Sequence, residues 1–189
     1  MGQGTITSKR QIDYKRQERL EVGDELTEMP EKIYHLFEKI DRAPICSDMK
    51  NSNAIGIVGG KESLYGMFKN IVIDIAVRHY YGDVRIFMLV DDESKYRWIR
   101  LLPHLVNDSG IRNIVFNNES KNNIFESLYR ELTYREQSEK IPYYGIVLVE
   151  NEFGIKNHPI SRYIERASEL GMTFVFFERR VEELPLHCD

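Results

Sequence analysis

The stretch Gly59-Gly60-Lys61-Glu62-Ser63 contains the residue types of a phosphate-binding loop and follows directly on the apolar run 54–58. A working loop has the spacing G-x-x-x-x-G-K-[ST], so that consecutive backbone N–H groups surround the phosphates and the hydroxyl reaches Mg²⁺. Here the two glycines are adjacent, which makes the loop too short to enclose a triphosphate, and Glu62 adds negative charge beside an anionic ligand. The stretch therefore predicts a degenerate nucleotide loop, with the turn itself depending on Gly59 and Gly60.

The pair Glu150-Asn151 follows another apolar run and is the second candidate position. An ATPase of this layout places an Asp there to bind Mg²⁺ and a Glu to activate water. Asn151 cannot be the general base, because an amide does not take up the proton of the attacking water. We interpret the pair as degenerate Walker B positions, or more simply as the end of a buried strand. No catalytic residue, metal ligand or cofactor is expected in this chain.

A second class of function stays open because Asp91, Asp92 and Glu150 are acidic residues at predicted strand ends. Carboxylate oxygens in such positions bind Mg²⁺. The alternative is therefore a switch or ATPase domain that binds a nucleotide or Mg²⁺ through these three residues. In receiver-like phosphoacceptor domains the acidic pair follows the first strand, whereas Asp91-Asp92 follows the second, and this disfavours that version of the alternative.

Composition excludes several broad classes of protein. The net charge of −4 over 189 residues leaves no excess of cations for a nucleic-acid surface. The two cysteines, Cys46 and Cys188, are far apart and have no partners at metal-binding spacing, so neither a zinc site nor a disulfide framework is indicated. No run approaches the roughly 20 apolar residues of a membrane-spanning helix. We expect a soluble domain in a reducing compartment.

The candidate residues must be positioned by a repeated order of strand and helix. Apolar runs bounded by turn residues predict five strands, at 54–58, 84–90, 113–116, 143–149 and 172–177. Helical spacing predicts helices at about 25–40, 62–81, 96–102, 121–137 and 158–170, with Gly82 and Gly171 as C-caps. This order predicts an α/β fold, a three-layer parallel sheet of about five strands with helices on both faces. Ligands of such sheets bind at the carboxyl ends of the strands.

The domain boundary is predicted between residues 22 and 23. Residues 1–22 are polar, with a faint alternation at Ile6, Ile12 and Tyr14 that suggests one edge strand or an arm. Residues 23–189 contain no linker, repeat or low-complexity segment. We therefore expect a polar N-terminal arm followed by a single domain.

Several motifs in this order are shared with one family. They are Ile55-Gly56-Ile57-Val58-Gly59 with a helix after it, Trp98 with Leu101-Leu102-Pro103-His104, Leu128 to Arg135, and Leu170-Gly171 leading to Leu184-Pro185. In this order they resemble the FtsK/SpoIIIE-type motor ATPases of type VII secretion, the EssC/EccC proteins. More narrowly, the chain looks like their first, degenerate ATPase-like domain, which lies between the transmembrane segment and three further ATPase modules. The resemblance covers roughly residues 50–188.

The resemblance implies a P-loop NTPase (RecA/FtsK)-like fold and a non-catalytic domain at the cytoplasmic face of the bacterial cell membrane. Such a domain would couple the membrane-anchored part of the motor to the ATPase domains that export WXG100-type proteins. Its implied partners are other domains of the same motor and the membrane subunits of the secretion system. The implied ATP and Mg²⁺ are bound in neighbouring domains of the parent protein, and no nucleic acid is involved.

Overall fold

The structure, a computed structural model of the chain, describes residues 2–8, 25–138, 140–185 and 188. The chain forms two compact units, Met1–Asp48 and Met49–Asp189. The predicted boundary between residues 22 and 23 lies outside the described residues and stays a prediction. In the part of the chain that is described, no helix has both the length and the apolar character that crossing a membrane requires.

The N-terminal unit consists of β1 (Gly2–Thr7), α1 (Glu25–Glu38) and β2 (Lys39–Ile45). The helix predicted at 25–40 is present, and it runs through Pro30. Strand β1 pairs with β2 in antiparallel orientation. Sequence patterns did not predict β2, because Ala43 is its only buried side chain and it has no apolar alternation. Ile12 and Tyr14 lie outside the described residues.

The second unit is an α/β domain whose five strands are all parallel. Its elements are β3 (Ala54–Val58), α2 (Lys61–Arg78), β4 (Val84–Leu89), β5 (Ile114–Val115), α3 (Asn118–Gln137), β6 (Tyr144–Val149), α4 (Ser161–Ile164) and β7 (Met172–Glu178). The sheet order is β3-β7-β6-β4-β5. The predicted fold class and number of strands are confirmed.

Helices cover both faces of this sheet, as predicted. On one face, Phe68 and Val72 of α2 belong to a cluster with alternate strand residues, namely Ile86, Met88, Ile146, Leu148 and Val175. On the other face, Phe125 and Leu128 of α3 cluster with the intervening residues Phe87, Leu89, Val147, Phe174 and Phe176. Because successive side chains of a strand point to opposite faces, strands buried on both sides are apolar throughout.

Three predicted helices differ from the structure. The one predicted at 96–102 is the 3₁₀ helix Glu93–Ile99. Helix α2 ends at Arg78 rather than near residue 81, and its C-cap is His79 in extended conformation instead of Gly82. The carbonyl of Tyr80 then accepts the N–H groups of Asp83 and Val84, which turns the chain directly into β4. The helix predicted at 158–170 is present only as α4 and the 3₁₀ turn Ser168–Leu170, and another 3₁₀ turn, Ile155–Asn157, precedes it. Gly171 ends the last turn with φ 65°, as predicted.

Candidate functional site

A cleft of about 290 Å³ lies at the carboxyl ends of four strands. Lys61 reaches it from the start of α2, just after β3. Asp91 reaches it from the segment after β4, Glu150 from the end of β6 and Glu178 from β7. The structure thus brings Lys61 and Glu178, which are 117 positions apart in the sequence, to the edge of the sheet where α/β proteins bind ligands. This cleft is the candidate site.

The turn between β3 and α2 contains only Gly59 and Gly60. The N–H of Gly59 donates to the carbonyl of Glu178 at 3.2 Å, which ties the turn to β7. Gly60 is the N-cap of α2, with an ordinary φ of −70°. A Cβ on Gly60 would meet no atom within 4 Å, and one on Gly59 would lie 3.7 Å from Leu64. The prediction that these glycines are needed for the turn is therefore wrong, because neither backbone strain nor crowding requires them.

The remaining loop residues differ in their relation to the cleft. Lys61 lines it, whereas Ser63, at an exposed position on the first turn of α2, is not one of its lining residues in the described structure. With two residues between strand and helix, only the first N–H groups of α2 point toward this end of the sheet. The turn offers no consecutive run of backbone donors like the one that surrounds phosphates in a full loop.

Glu150 fixes the segment that follows β4. Its carboxylate accepts the N–H of Asp91 at 3.4 Å and lies 3.8 Å from the ammonium of Lys95. Lys95 and Tyr96 belong to the 3₁₀ helix Glu93–Ile99, and Tyr96 is fully buried. Burial, and next the negative charge of Glu150, raise the pKa of Tyr96 well above its ordinary value. Glu150 therefore has structural partners where an ATPase would bind Mg²⁺.

The side chain of Asn151 is also hydrogen-bonded to neighbouring residues. Its amide nitrogen donates to the carboxylate of Asp91, and its amide oxygen accepts the N–H of Phe153 at 2.9 Å. Both ends of the side chain are used. Asn151, at the second candidate position, therefore shapes the turn after β6 and presents no group that could activate water.

The three acids of the alternative function are not equivalent. Asp91 and Glu150 line the cleft. Asp92 instead caps the 3₁₀ helix by accepting the N–H of Ser94 at 2.9 Å and its hydroxyl at 2.6 Å. These hydrogen bonds lower the pKa of Asp92. Nowhere in the described residues do three or more His, Cys, Asp or Glu side chains form a group that could hold a metal ion.

The predicted strand 172–177 leads directly to Glu178, but sequence patterns did not identify other residues of the cleft. Those missed include Tyr65, Lys95, Tyr96, Arg179 and Glu183. Tyr65 comes from α2, and its hydroxyl donates to the carbonyl of Lys95 at 3.0 Å. No local signal identifies Lys95 and Tyr96, because they lie several residues beyond β4 on a 3₁₀ helix whose position depends on Glu150.

Glu178 makes the stability of the protein depend on pH. Partial burial, and then the charges of Glu152 and Glu183, raise its pKa above the ordinary 4.5. The folded state therefore holds this proton more tightly than the unfolded state, so stability is lost as the pH rises from about 4.5 through the raised pKa.

We expect Glu178→Gln to be more stable than the natural protein at pH 7, with the difference vanishing below pH 4. Urea unfolding at both pH values measures this. Glu182→Gln, an exposed change nearby, is the control. Equal stability of Glu178→Gln and the natural protein at pH 7 would contradict the prediction.

The chain is similar in sequence to type VII secretion proteins. No family model matches it. It is 26% identical over 204 aligned residues to the type VII secretion system protein EssC of Staphylococcus aureus strain MSSA476. The alignment covers 100% of this chain and 14% of EssC. A second relative, the ESX secretion system protein EccC of Geobacillus thermodenitrificans, is 26% identical over 85% of this chain and 11% of its own length.

Solved structures share the fold. The cytoplasmic domain of EssC matches 72% of this chain with a TM-score of 0.55 and 15% identity, over 30% of its own length. ATPases 2 and 3 of EssC from Geobacillus thermodenitrificans match 80% with a TM-score of 0.57 and 16% identity, over 32% of that chain. The structural likeness shows the P-loop ATPase fold. The sequence similarity indicates common ancestry, so this chain is homologous to the EssC/EccC type VII secretion proteins.

Proposed function

We propose that the chain is a non-catalytic domain of a type VII secretion motor, which couples a membrane-anchored part to ATPase domains that export WXG100-type proteins. The observation that carries this proposal is the state of the cleft. The turn that should hold phosphates has two residues, and the position of the general base is the amide Asn151. Among the described residues, the cleft lacks the general base and the run of backbone donors that phosphoryl transfer needs.

Charge in the cleft also argues against a nucleotide. Four carboxylates line it, those of Asp91, Glu150, Glu178 and Glu183, against three cations, Lys61, Lys95 and Arg179. Lys95 lies beside Glu150 and Arg180 beside Glu183, so a triphosphate would meet the carboxylates of Asp91 and Glu178 as well as the cations Lys61 and Arg179. Repulsion between carboxylates and phosphates opposes binding at this short range.

Calorimetric titration of the whole chain with Mg-ATP, Mg-ADP and Mg²⁺ alone tests the proposal. We expect no saturable heat with any of the three up to about 1 mM, a limit that corresponds to a binding free energy of about −4 kcal/mol. Lys61→Ala is the matched control and should give the same traces. ATP hydrolysis that Lys61→Ala abolishes would refute the proposal.

The alternative function has one supporting observation, namely that Asp91 and Glu150 share the cleft. A switch that binds Mg²⁺ or a nucleotide there would give saturable binding that Asp91→Asn weakens. The same titrations therefore separate the two functions.

The proposed partners are other domains of the motor and membrane subunits of the secretion system, with the domain at the cytoplasmic face of the cell membrane. The chain spans 14% of the length of the EssC relative. The partner domains that we propose correspond to other parts of such a protein, and the membrane subunits are separate chains. Export of WXG100-type substrates should be unchanged by Lys61→Ala or Ser63→Ala in the intact motor. It should be lost when a functional phosphate loop elsewhere in that motor is mutated.

A further inference from the structure

The 3₁₀ helix Glu93–Ile99 and the turn after it contain the only tryptophan of the chain. The N–H of Arg100 donates to the carbonyl of Arg97 at 3.3 Å. The N–H of Leu102 donates to the carbonyl of Ile99 at 3.0 Å, so this hydrogen-bond pattern continues to Leu102. In a 3₁₀ helix, side chains three residues apart lie above one another. The segment therefore has three rows of side chains.

One row is buried and a second row is exposed. Tyr96 and Ile99 are buried in the core, and Leu102 packs against the same cluster. In the second row, Trp98 is 43% exposed and Leu101 is 87% exposed. A leucine with that exposure projects from the surface, and its removal from water would be favourable. The second row therefore leaves apolar surface open to solvent.

The third row adds positive charge beside this apolar surface. Arg97 is exposed and Arg100 is partly exposed. The Nε of Arg112 donates to the carbonyl of Arg100 at 2.9 Å, which brings a third guanidinium to the segment. Arg100 Nε lies 3.4 Å from Oε1 of Glu93, whereas no carboxylate of the described residues pairs with Arg97 or Arg112. We call Arg97, Trp98, Arg100, Leu101 and Arg112 the Trp98 face.

The other charged residues of this helix are paired or distant. Lys95 belongs to the row of Trp98, but its ammonium lies 3.8 Å from the carboxylate of Glu150 in the cleft. Asp92 caps the first turn, six residues before Trp98, which is about 12 Å along a 3₁₀ helix. With three arginines against Glu93, the Trp98 face is positive, although the whole chain has a net charge of −4.

We propose that the Trp98 face contacts an anionic lipid bilayer. Tryptophan and arginine suit this boundary, because each can place an apolar part among the acyl chains and a polar group among the headgroups. Lipids can close around the projecting Leu101, whereas a protein partner would need a pocket shaped for it. Anionic headgroups complement the arginines. The inference deepens the proposed function, on which the position of the domain at the cytoplasmic face rests, by naming the surface that faces the membrane.

The fluorescence of Trp98 tests the proposal in the 189-residue chain, because no other tryptophan contributes. The chain is titrated with vesicles of phosphatidylcholine alone or of an equal mixture with phosphatidylglycerol. We expect the mixed vesicles to bind at least tenfold more tightly, because each free arginine strengthens binding to an anionic surface about fivefold. The emission should shift to shorter wavelength, and lipids brominated on their acyl chains should quench it. The net charge of the whole chain would favour the opposite preference, so this result reports the local face.

Two pairs of variants locate the contact. Leu101→Ser should weaken binding to the mixed vesicles about tenfold, because it removes an apolar side chain from the acyl region. Its control, Val181→Ser, at another exposed apolar position, should not. Arg97→Gln should weaken binding about fivefold. Arg130→Gln, the same change of charge at an exposed arginine of α3, should leave binding nearly unchanged. Circular dichroism checks that all four variants fold.

Unchanged emission with the mixed vesicles, equal binding to both kinds of vesicle, or equal effects of Leu101→Ser and Val181→Ser would overturn the proposal. An emission shift that depends on protein concentration without lipid would also overturn it and assign the Trp98 face to a second copy. Saturable binding of Mg-ATP would instead refute the non-catalytic function and leave the vesicle result standing, so the two failures are distinguishable.

Discussion

Arg135→Met should lower the free energy of unfolding by about 3 kcal/mol, because it leaves buried polar groups without their partner. Arg135 is only 3% exposed, although it carries a full charge. Its guanidinium donates to the carbonyl of Leu170 at 2.9 Å and to that of Gly171 at 3.1 Å, and it pairs with Glu131 at 2.8 Å. It also lies 4.4 Å from the ring centre of Tyr143. Methionine fills the volume but supplies no donor.

Urea unfolding of the chain measures this effect, and Arg130→Met is the matched control. Arg130 lies on the same helix and pairs with Glu126 at 2.7 Å, but its side chain is 72% exposed. An exposed pair of this kind contributes about 0.5 kcal/mol or less. Equal losses in the two variants would show that Arg135 acts only through helix propensity.

Gly171→Ala should lower the free energy of unfolding by about 3 kcal/mol, the sum of a backbone effect and a steric effect. Gly171 has φ 65°, a conformation that costs an L-residue about 1 kcal/mol. An added Cβ would lie 2.5 Å from Cγ2 of the half-exposed Ile141 and 3.4 Å from Nη1 of the buried Arg135, and moving these groups costs about 2 kcal/mol. The turn that leads from the 3₁₀ helix Ser168–Leu170 into β7 depends on this glycine.

Gly110→Ala separates the two effects. Gly110 has φ 76°, and a Cβ there would meet no atom within 4 Å. Gly110→Ala should therefore lower the free energy of unfolding only by the backbone contribution, about 1 kcal/mol. Thermal unfolding measures both variants. A similar loss of stability in Gly171→Ala and Gly110→Ala would contradict the steric effect expected at Gly171.

The sheet could be predicted from the sequence because strands buried on both faces are apolar throughout. Runs such as 144–149 and 172–177 need no distant partner to be recognised. Strand β2 could not be predicted in this way, because its exposed residues gain their order from pairing with β1. The break in the segment 158–170 is equally nonlocal, since Arg135 binds the carbonyls at its end from 35 residues away.

The candidate site was predictable in position and less so in detail. The strand-end rule placed Asp91, Glu150 and Glu178 at one edge of the sheet, where they line one cleft. It could not find Lys95, because that residue reaches the cleft only through its pairing with Glu150. Gly59 and Gly60 show the opposite error: a composition typical of tight turns occurs where the backbone is ordinary.

The sheet order places a third strand between the two candidate positions of a nucleotide site. Strands β3 and β6, which precede Lys61 and Glu150, are not neighbours, because β7 lies between them. Two strand spacings separate them, about 10 Å, and Glu178 ends the strand in the gap. Replacing residues at both candidate positions would still leave a carboxylate between them. Binding of a triphosphate at this edge would therefore require changes on three strands and a longer turn, so no single substitution should create it.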